Sequence, residues 1–235
     1  QGVSSAASDV YKRQALEYGS IVEGGGYNTT VGRYGAVIGG ACNTSDGKYS
    51  SLTGGYRNTN TECFSFLGTG KYNTGSSPYS VLVGGCNNTT LSGGYGGFNV
   101  IVGGYCNTTA SNSYHSFIGG GRENTAACGT VTIVGGYNNT ASNYDSFIGG
   151  GGNNTADGNG SVVTGGEGNT AIGDSSFVGG GNGNVTIGDN SFVGGGDNNT
   201  SSCIYSTISG GYANNAYGYA STISGGYRNL SLIHI

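Results

Sequence analysis

Apolar and polar positions follow one fixed pattern that repeats along almost the whole chain. In each repeat an aliphatic residue stands six positions before an Asn, and a Gly stands three positions before the same Asn. This Asn, termed the marker Asn, recurs every 15 residues, with spacings of 19 and 17 around Asn107. The marker residues are Asn28, Asn43, Asn58, Asn73, Asn88, Asn107, Asn124, Asn139, Asn154, Asn169, Asn184, Asn199, Asn214 and Asn229. Such repetition is typical of a solenoid in which one repeat forms one coil.

The repeats share the consensus S-x-[VIL]-x-G-G-x-x-N-T-[AST], followed by four variable residues, with departures such as Val185 and Asn215 in place of the Thr. This pattern predicts a first short strand over S-x-[VIL]-x, a turn at the Gly-Gly pair and a second strand over x-x-N-T-[AST]. Equivalent residues of successive coils would stack at the strand spacing of about 4.8 Å. The sequence therefore predicts an all-β fold, a parallel β-solenoid of about fourteen 15-residue coils, with insertions near residues 91–97 and 111–115.

The marker Asn has two interpretations in such a fold. Stacked Asn side chains hydrogen-bond to the Asn above and below, as in amide ladders, or the Asn is a turn residue that tolerates left-handed backbone angles. Either interpretation gives the Asn a structural role. We assign this role to Asn28, Asn43, Asn58, Asn139, Asn154, Asn169, Asn184 and Asn199.

A second column, directly before the aliphatic one, contains five of the seven Phe residues. Neighbouring residues of a strand point to opposite faces, so an inward aliphatic column places these Phe on the outside. The predicted interface residues are Phe66, Phe117, Phe147, Phe177 and Phe192. Because monomers rarely expose a long apolar stripe, the column predicts a homo-oligomer. The alternative is a turn geometry that tucks both columns inward.

Tyr residues concentrate at a few positions of the repeat near the predicted turns. Tyr offers rigid, amphipathic contact area that stacks on sugars or protein. The predicted ligand contacts stand two positions before the marker and are Tyr56, Tyr105, Tyr137, Tyr212 and Tyr227. A further set, Tyr34, Tyr49, Tyr79 and Tyr205, stands nine positions before it. The alternative is that Tyr residues stack across coils and simply protect the turns.

Composition removes several classes of protein. The 52 Gly among 235 residues argue against a helical bundle, because each Gly inside a helix costs about 0.5–1 kcal/mol relative to Ala. The net charge of -4 gives no electrostatic footprint for nucleic acid. No apolar run approaches the ~20 residues of a membrane span. We therefore expect no nucleic-acid partner and no membrane contact for this segment.

Candidate catalytic and metal-binding residues are few. His115 lies in the second insertion without a Ser or Cys partner placed by a motif, and the Lys and Arg residues do not cluster along the sequence as a catalytic cleft requires. We expect no enzyme and no cofactor. Asp174 and Asp189 occupy equivalent positions on adjacent coils and are a candidate Ca²⁺ site, with solvated turn carboxylates as the alternative. The six Cys rarely share a position, so we expect free thiols.

Both ends of the chain differ in composition from the repeat between them. Residues 4–14 read SSAASDVYKRQ, which resembles the translation of a sequencing-library adapter. The last six residues, LSLIHI, are the translation of the reverse complement of its last six codons. We therefore expect residues 1–14 and 230–235 to be adapter-derived, without a native fold, and residues 15–229 to be one repeat domain from a longer protein. Any signal or anchor would lie outside this fragment.

The repeat resembles a known family at two units in particular, SFVGGG at residues 176–181 and STISGG at residues 206–211, with a Gly four residues past the marker Asn at Gly173, Gly188 and Gly218. These units resemble the head repeats of trimeric autotransporter adhesins and are also similar to repeats of phage and giant-virus fibre proteins. The resemblance covers residues 18 to 229. It implies a left-handed parallel β-roll, three chains side by side, and an extracellular stalk that binds host matrix or cells. The family repeat is usually nearer fourteen residues, without this Gly-Gly and Asn-Thr pattern or Cys.

Together these features predict a non-enzymatic, structural and adhesive segment of a surface fibre or adhesin. It would bind glycan or protein at a cell or virion surface and assemble as a homo-oligomer, namely a trimer. An ice-binding solenoid is the alternative, because it also aligns a Thr column. Ice-binding faces, however, generally pair each Thr with a second Thr two residues away, and here those positions are mixed, as at Cys42, Asp46 and Leu91.

Overall fold

The computed structural model describes residues 12–91 and 97–232 of the chain. These residues group into two compact units, one ending at Gly121 and the other beginning at Arg122. The described residues form strands, turns and irregular backbone, and they contain no helix. Most of the first predicted insertion, near residues 91–97, lies outside the described residues.

The first unit contains the strands β1 to β14. Their bounds are β1 Gln14–Ala15, β2 Ile21–Val22, β3 Thr29–Thr30, β4 Ala36–Val37, β5 Thr44–Ser45, β6 Ser51–Leu52, β7 Thr59–Asn60, β8 Phe66–Leu67, β9 Thr74–Ser76, β10 Val81–Leu82, β11 Thr89–Leu91, β12 Val100–Ile101, β13 Thr108–Ser113 and β14 Phe117–Ile118. The odd-numbered strands pair in chain order as one sheet, and the even-numbered strands pair in the same way as a second sheet.

The second unit repeats this arrangement with the strands β15 to β29. Their bounds are β15 Thr125–Gly129, β16 Thr132–Ile133, β17 Thr140–Ala141, β18 Phe147–Ile148, β19 Thr155–Ala156, β20 Val162–Val163, β21 Thr170–Ala171, β22 Phe177–Val178, β23 Val185–Thr186, β24 Phe192–Val193, β25 Thr200–Ser201, β26 Thr207–Ile208, β27 Asn215–Ala216, β28 Thr222–Ile223 and β29 Leu230–Ser231. Here too the odd-numbered strands pair with one another, and so do the even-numbered ones.

The strand pairings are parallel and join residues one coil apart. Thr29 pairs with Thr44 in the first unit, and Ala141 pairs with Ala156 in the second. The chain is therefore an all-β parallel solenoid of about fourteen coils of roughly fifteen residues, which confirms the predicted fold class. The second predicted insertion, near residues 111–115, lengthens β13 to six residues.

The interior of each coil is narrow and holds one aliphatic side chain against small residues. Leu52 and Ile148 are fully buried, as is every aliphatic residue at this position from Val37 to Ile208. In the second unit Ala216 packs in one cluster with Ile208 and Ile223. The residue before each aliphatic one points outward, because strand neighbours alternate, and Phe66 is exposed accordingly. The predicted inward aliphatic column and outward Phe column are both observed.

The second strand of the coil is shorter than predicted. It begins after the marker Asn, because the residue directly before this Asn has a positive φ in every coil, for example 53° at Arg57. A left-handed residue interrupts an extended strand, so the segment x-x-N is a bend. The first residue of this segment still forms a one-residue parallel bridge, as between Tyr56 and Lys71. Each coil therefore contributes to three parallel ladders instead of two.

The marker Asn residues form a hydrogen-bonded ladder along the inside of each unit. Asn154 shows the pattern: its Oδ1 accepts the backbone N–H of Asn169 at 3.0 Å, and its Nδ2 donates to the carbonyls of Gly150 and Gly166 at 2.9 and 3.0 Å. In several coils Nδ2 also donates to the Oδ1 of the preceding marker, at 3.0 Å between Asn199 and Asn184. The eight predicted structural Asn are all fully buried.

This geometry decides between the two interpretations of the marker Asn. The ladder is present, although most of its bonds run through the backbone of the next coil. The left-handed position belongs to the residue before the marker, including Asn138, Asn153 and Asn198. The Gly three positions before the marker serves the same ladder: Gly151 has a φ of 82°, and a Cβ there would lie 2.8 Å from Asn154 Nδ2.

Strands extend slightly beyond the predicted repeat domain at both ends. Gln14 pairs with Thr29 in β3, and Leu230 pairs with Asn215 in β27. Hydrogen bonds between paired strands use main-chain atoms alone. An adjoining extended segment can therefore pair with the last coil whatever its sequence. The adapter origin assigned to these end residues stays a prediction.

The marker Asn ladder predicts that replacing a single marker Asn lowers the free energy of unfolding substantially. Asn154→Ala removes the three hydrogen bonds of a buried side chain, each worth about 0.5–1.5 kcal/mol net, so we expect a loss of about 2–4 kcal/mol in the free energy of unfolding. Asn182→Ala, at an exposed position of the same unit, should change it by less than about 0.5 kcal/mol. Thermal unfolding followed by circular dichroism measures both, and equal shifts would contradict a structural role for the marker.

Candidate interaction surfaces

Side chains able to contact a partner lie on the outer sheet faces and on the turns, because the coil interior is filled. Each predicted interface Phe lies on the outer face of the even-numbered strands, where Phe66, Phe117 and Phe192 keep 36–38% of their surface exposed. Phe177 and Phe192 stack with ring centroids 5.2 Å apart. The structure places the five Phe on the same outer position in their coils.

A Gly accompanies every one of these Phe residues. It stands two positions later in all five Phe coils, at Gly68, Gly119, Gly149, Gly179 and Gly194, and in none of the other nine. In the second unit the Phe ring lies over this Gly: a Cβ at Gly179 would lie 3.3 Å from the Phe177 ring, and one at Gly194 would lie 3.2 Å from the Phe192 ring. The remaining coils range from two Val residues, Val100 with Val102, to two small residues, Ser51 with Thr53. The largest side chain of the outer face is thus always accompanied by the smallest residue.

The same outer face is nearly free of charge. Its two outward positions in each coil carry aliphatic residues, Phe, Gly, Ser, Thr or Ala, and the one charged residue among them is Glu23. A nearly uncharged and partly apolar face of this kind is unusual on a monomer. It is a candidate surface for association with other protein.

The five predicted ligand-contact Tyr are exposed but do not form one surface. Tyr212 and Tyr227 stack at 5.3 Å. Tyr137 donates from its hydroxyl to Glu167 Oε1 at 3.1 Å, and this hydrogen bond raises the pKa of Tyr137. Tyr56 packs edge-on against Tyr72 at 5.9 Å, and Tyr105 is exposed in the same unit. These residues make separate local contacts and no continuous ladder.

A continuous aromatic ladder lies on the other turn of the first unit. It is formed by six residues nine positions before the marker, Tyr34, Tyr49, Phe64, Tyr79, Phe98 and His115. Successive ring centroids are 4.9–5.1 Å apart, with interplanar angles of 1–19°. Tyr18 meets the Tyr34 end edge-on at 5.6 Å.

The ladder is exposed and rigidly held. The five Tyr and Phe members keep 43–49% of their surface exposed. Inner rings have a neighbour on both faces, so their edges meet the solvent. Each member has a φ between 44° and 58°, and its N–H donates to a carbonyl of the preceding coil, as from Tyr49 to Arg33 at 3.0 Å.

The backbone at the ladder position does not itself require an aromatic residue. A non-Gly residue in the left-handed region costs about 1–2 kcal/mol, and Ser, Asn or Ala bear this cost as much as Tyr or Phe. At the same position the second unit uses Gly160, Ser175, Asn190 and Ala220 with similar φ. Each stacked aromatic pair adds about 0.5–1.5 kcal/mol beyond its burial, so the aromatic ladder stabilises the turns and also presents a continuous aromatic surface.

Sequence reasoning identified part of this ladder. It assigned Tyr34, Tyr49 and Tyr79 to one position but did not place Phe64 and Phe98, which are the two Phe outside the outer column. It interpreted His115 as a loop residue of the second insertion, whereas the ring stacks on Phe98. The shared offset from the marker Asn is the signal that would have joined all six residues.

The remaining chemical candidates are engaged in local contacts. Asp174 Oδ1 accepts the backbone N–H of Asn159 at 2.9 Å, and Asp189 Oδ1 accepts that of Asp174 at 3.0 Å. The described residues contain no group of three or more side chains that could hold a metal, and two carboxylates fall short of the six to eight oxygens Ca²⁺ takes. All six Cys are free and half-buried.

Comparison with known proteins gives no family assignment. No protein-family model matches the chain, and no curated protein is significantly similar to it. Within residues 12–91 and 97–232 there is no helix long and apolar enough to cross a membrane.

Proposed function

We propose that this chain is a structural and adhesive repeat segment of a surface fibre or adhesin, located on a cell or virion surface and binding glycan or protein. The single observation that carries the proposal is the aromatic ladder. Its rings are exposed and already fixed by stacking, so contact with a ligand requires little further loss of side-chain freedom. The resemblance to head repeats of trimeric autotransporter adhesins supports the same class of function.

The nearly uncharged outer face supports the assembly part of the proposal. We propose that the Phe-bearing face packs against other copies of the chain in a homo-oligomer, namely a trimer as the resemblance implies. An uncharged face has little desolvation cost on association. The exposed fraction of each Phe is what association would bury.

An ice-binding solenoid is the second candidate, favoured by one specific feature. The residue after the marker Asn is Thr in most coils, and these Thr pair in register on the outer side of the odd-numbered strands, as do Thr140 and Thr155. The neighbouring outer position is mixed, with Asp157 and Ile172 in successive coils. A regular second Thr column is missing, which favours the adhesive function.

The adhesive function predicts that ladder variants fold but no longer attach. Tyr49→Asn, Phe64→Ser and Tyr79→Asn together place residues of the second unit at the same turn position. We expect the melting temperature to change by a few degrees and binding to glycan-coated and matrix-coated surfaces to fall by at least about tenfold. Tyr217→Asn with Tyr219→Asn, at exposed positions outside the ladder and outside the predicted ligand contacts, is the matched control. Undiminished binding by the ladder variant would contradict the proposal.

The assembly proposal predicts an oligomer that depends on Phe. Because each Phe is already partly covered, its burial adds about 0.5–1 kcal/mol, a fraction of the value for a whole side chain. Phe147→Ser, Phe177→Ser and Phe192→Ser together should weaken association by about ten- to a hundredfold. Sedimentation of the chain measures this, with Tyr56→Ser, Tyr212→Ser and Tyr227→Ser as the control. A well-folded wild-type monomer would refute the interface.

The ice-binding alternative predicts thermal hysteresis. Measured on the purified chain, the freezing and melting temperatures of an ice crystal should coincide under the adhesive function. A clear gap between them, lost on replacing Thr140, Thr155 and Thr170 with bulky residues, would reverse the ranking of the two functions.

A further inference from the structure

Two cations and two tyrosines form a cluster on the turn of the first unit that carries the marker bend. The four residues are Tyr56, Arg57, Lys71 and Tyr72, from two adjacent coils. Lys and Arg do not cluster along the sequence. Arg57 and Lys71 occupy different positions of the repeat, and the stacking of coils brings both against the same two rings.

The contacts within the cluster are mutual. The Arg57 guanidinium lies 5.2 Å from the Tyr56 ring centroid and 5.9 Å from that of Tyr72. The Lys71 ammonium lies 5.7 Å and 4.9 Å from the same two rings. Each cation therefore contacts both rings, at distances typical of cation–π interactions.

The backbone under the cluster is fixed. Tyr56 and Lys71 form a parallel bridge, and the N–H of Tyr72 donates to the Tyr56 carbonyl at 3.0 Å. The side chains are thus anchored on ordered ladders, and the rings restrain the flexible stems of the two cations. This lowers the entropy lost when the cations bind a ligand.

The two positive charges have no negative partner within the described residues. Neither Arg57 nor Lys71 forms an ion pair there, although the chain carries a net charge of -4. Arg has five N–H donors and Lys has three, and ring faces satisfy few of them. Two like charges held on the same rings repel each other, and an anion bound beside them would remove that repulsion.

We propose that this cluster binds the anionic group of an acidic saccharide, a sulfate or a carboxylate. The guanidinium and ammonium groups take the oxyanion through charge-assisted hydrogen bonds, and the Tyr side chains contact the sugar ring with their apolar surface and hydroxyls. Two cations suffice for one substituted sugar but are too few to hold a nucleic-acid backbone, whose binding rests on many phosphate contacts. The inference rests on the proposed adhesive function and names a ligand class for it.

Three polymers that differ in one substituent test the proposal directly. Dextran sulfate, carboxymethyl-dextran and unmodified dextran are immobilised, and binding of the full chain is measured by surface plasmon resonance. We expect binding to one or both charged polymers and none to dextran, and the stronger of the two identifies the anionic group. Equal binding to all three polymers would overturn the proposal.

Charge-matched variants distinguish binding at this cluster from nonspecific electrostatic attraction. Arg57→Gln with Lys71→Gln should weaken binding to the charged polymer by at least about tenfold. Arg33→Gln with Lys48→Gln removes the same charge from the other turn of the same unit and should change binding by less than about twofold. Arg57→Lys keeps the charge but loses the planar guanidinium group, so its binding should lie between that of the two double variants. Equal losses in both double variants would overturn the proposal.

The experiment also distinguishes failure of this site from failure of the adhesive function. Circular dichroism of each variant confirms that it is folded before its binding is compared. If the wild type binds neutral glycan through the aromatic ladder and ignores charged dextran, the cluster assignment fails and the adhesive function stands. Tighter binding to a single-stranded oligonucleotide than to dextran sulfate would overturn the saccharide class.

Discussion

The hydrogen bonds of the buried marker Asn are the interaction on which the rest of the structure depends. A coil of fifteen residues has room for little besides one aliphatic side chain, so hydrophobic burial per residue is small and polar groups must be satisfied inside. One Asn per coil does this for three backbone groups, as Asn154 does for Asn169, Gly150 and Gly166. The Gly three positions before it is coupled to the same requirement, because a Cβ there would collide with the amide and with the next coil.

The marker Asn ladder bonds to main-chain atoms of the next coil, so it constrains few side chains outside the interior. The residue before the marker must be left-handed, yet it is Tyr27, Cys42 or Arg57 in successive coils. The residue type at the position of the aromatic ladder, nine residues before the marker, is equally unconstrained. The first unit has aromatic rings there, and the second has largely small or polar residues. Variation on this fold is therefore concentrated on turns, where residues cost little stability and can contact a partner.

The fold was predictable from sequence because its constraints repeat with one period. Fourteen occurrences of the same Gly, Asn and aliphatic positions leave one parallel arrangement, and burial of Leu52 or Ile148 follows from strand alternation. The length of the second strand was not predictable, because the bend is set by backbone angles at a position with no fixed residue type. The aromatic ladder was found only in part, since Tyr, Phe and His were sorted by type instead of position. The proximity of Arg57 and Lys71 was not predictable either, because the two residues occupy different positions of the repeat and meet only when the coils stack.

The combination of Phe with Gly affects the outer face and not the interior. The aliphatic residue next to each Phe, such as Leu67 or Val178, is buried to the same degree as in coils without Phe. The rings of Phe177 and Phe192 lie over the Gly two positions later, so they lie along the sheet face instead of standing away from it. In the proposed assembly this matters for a partner that lies across several coils, because a protruding ring would hold the partner away from the neighbouring coils and forfeit their contacts.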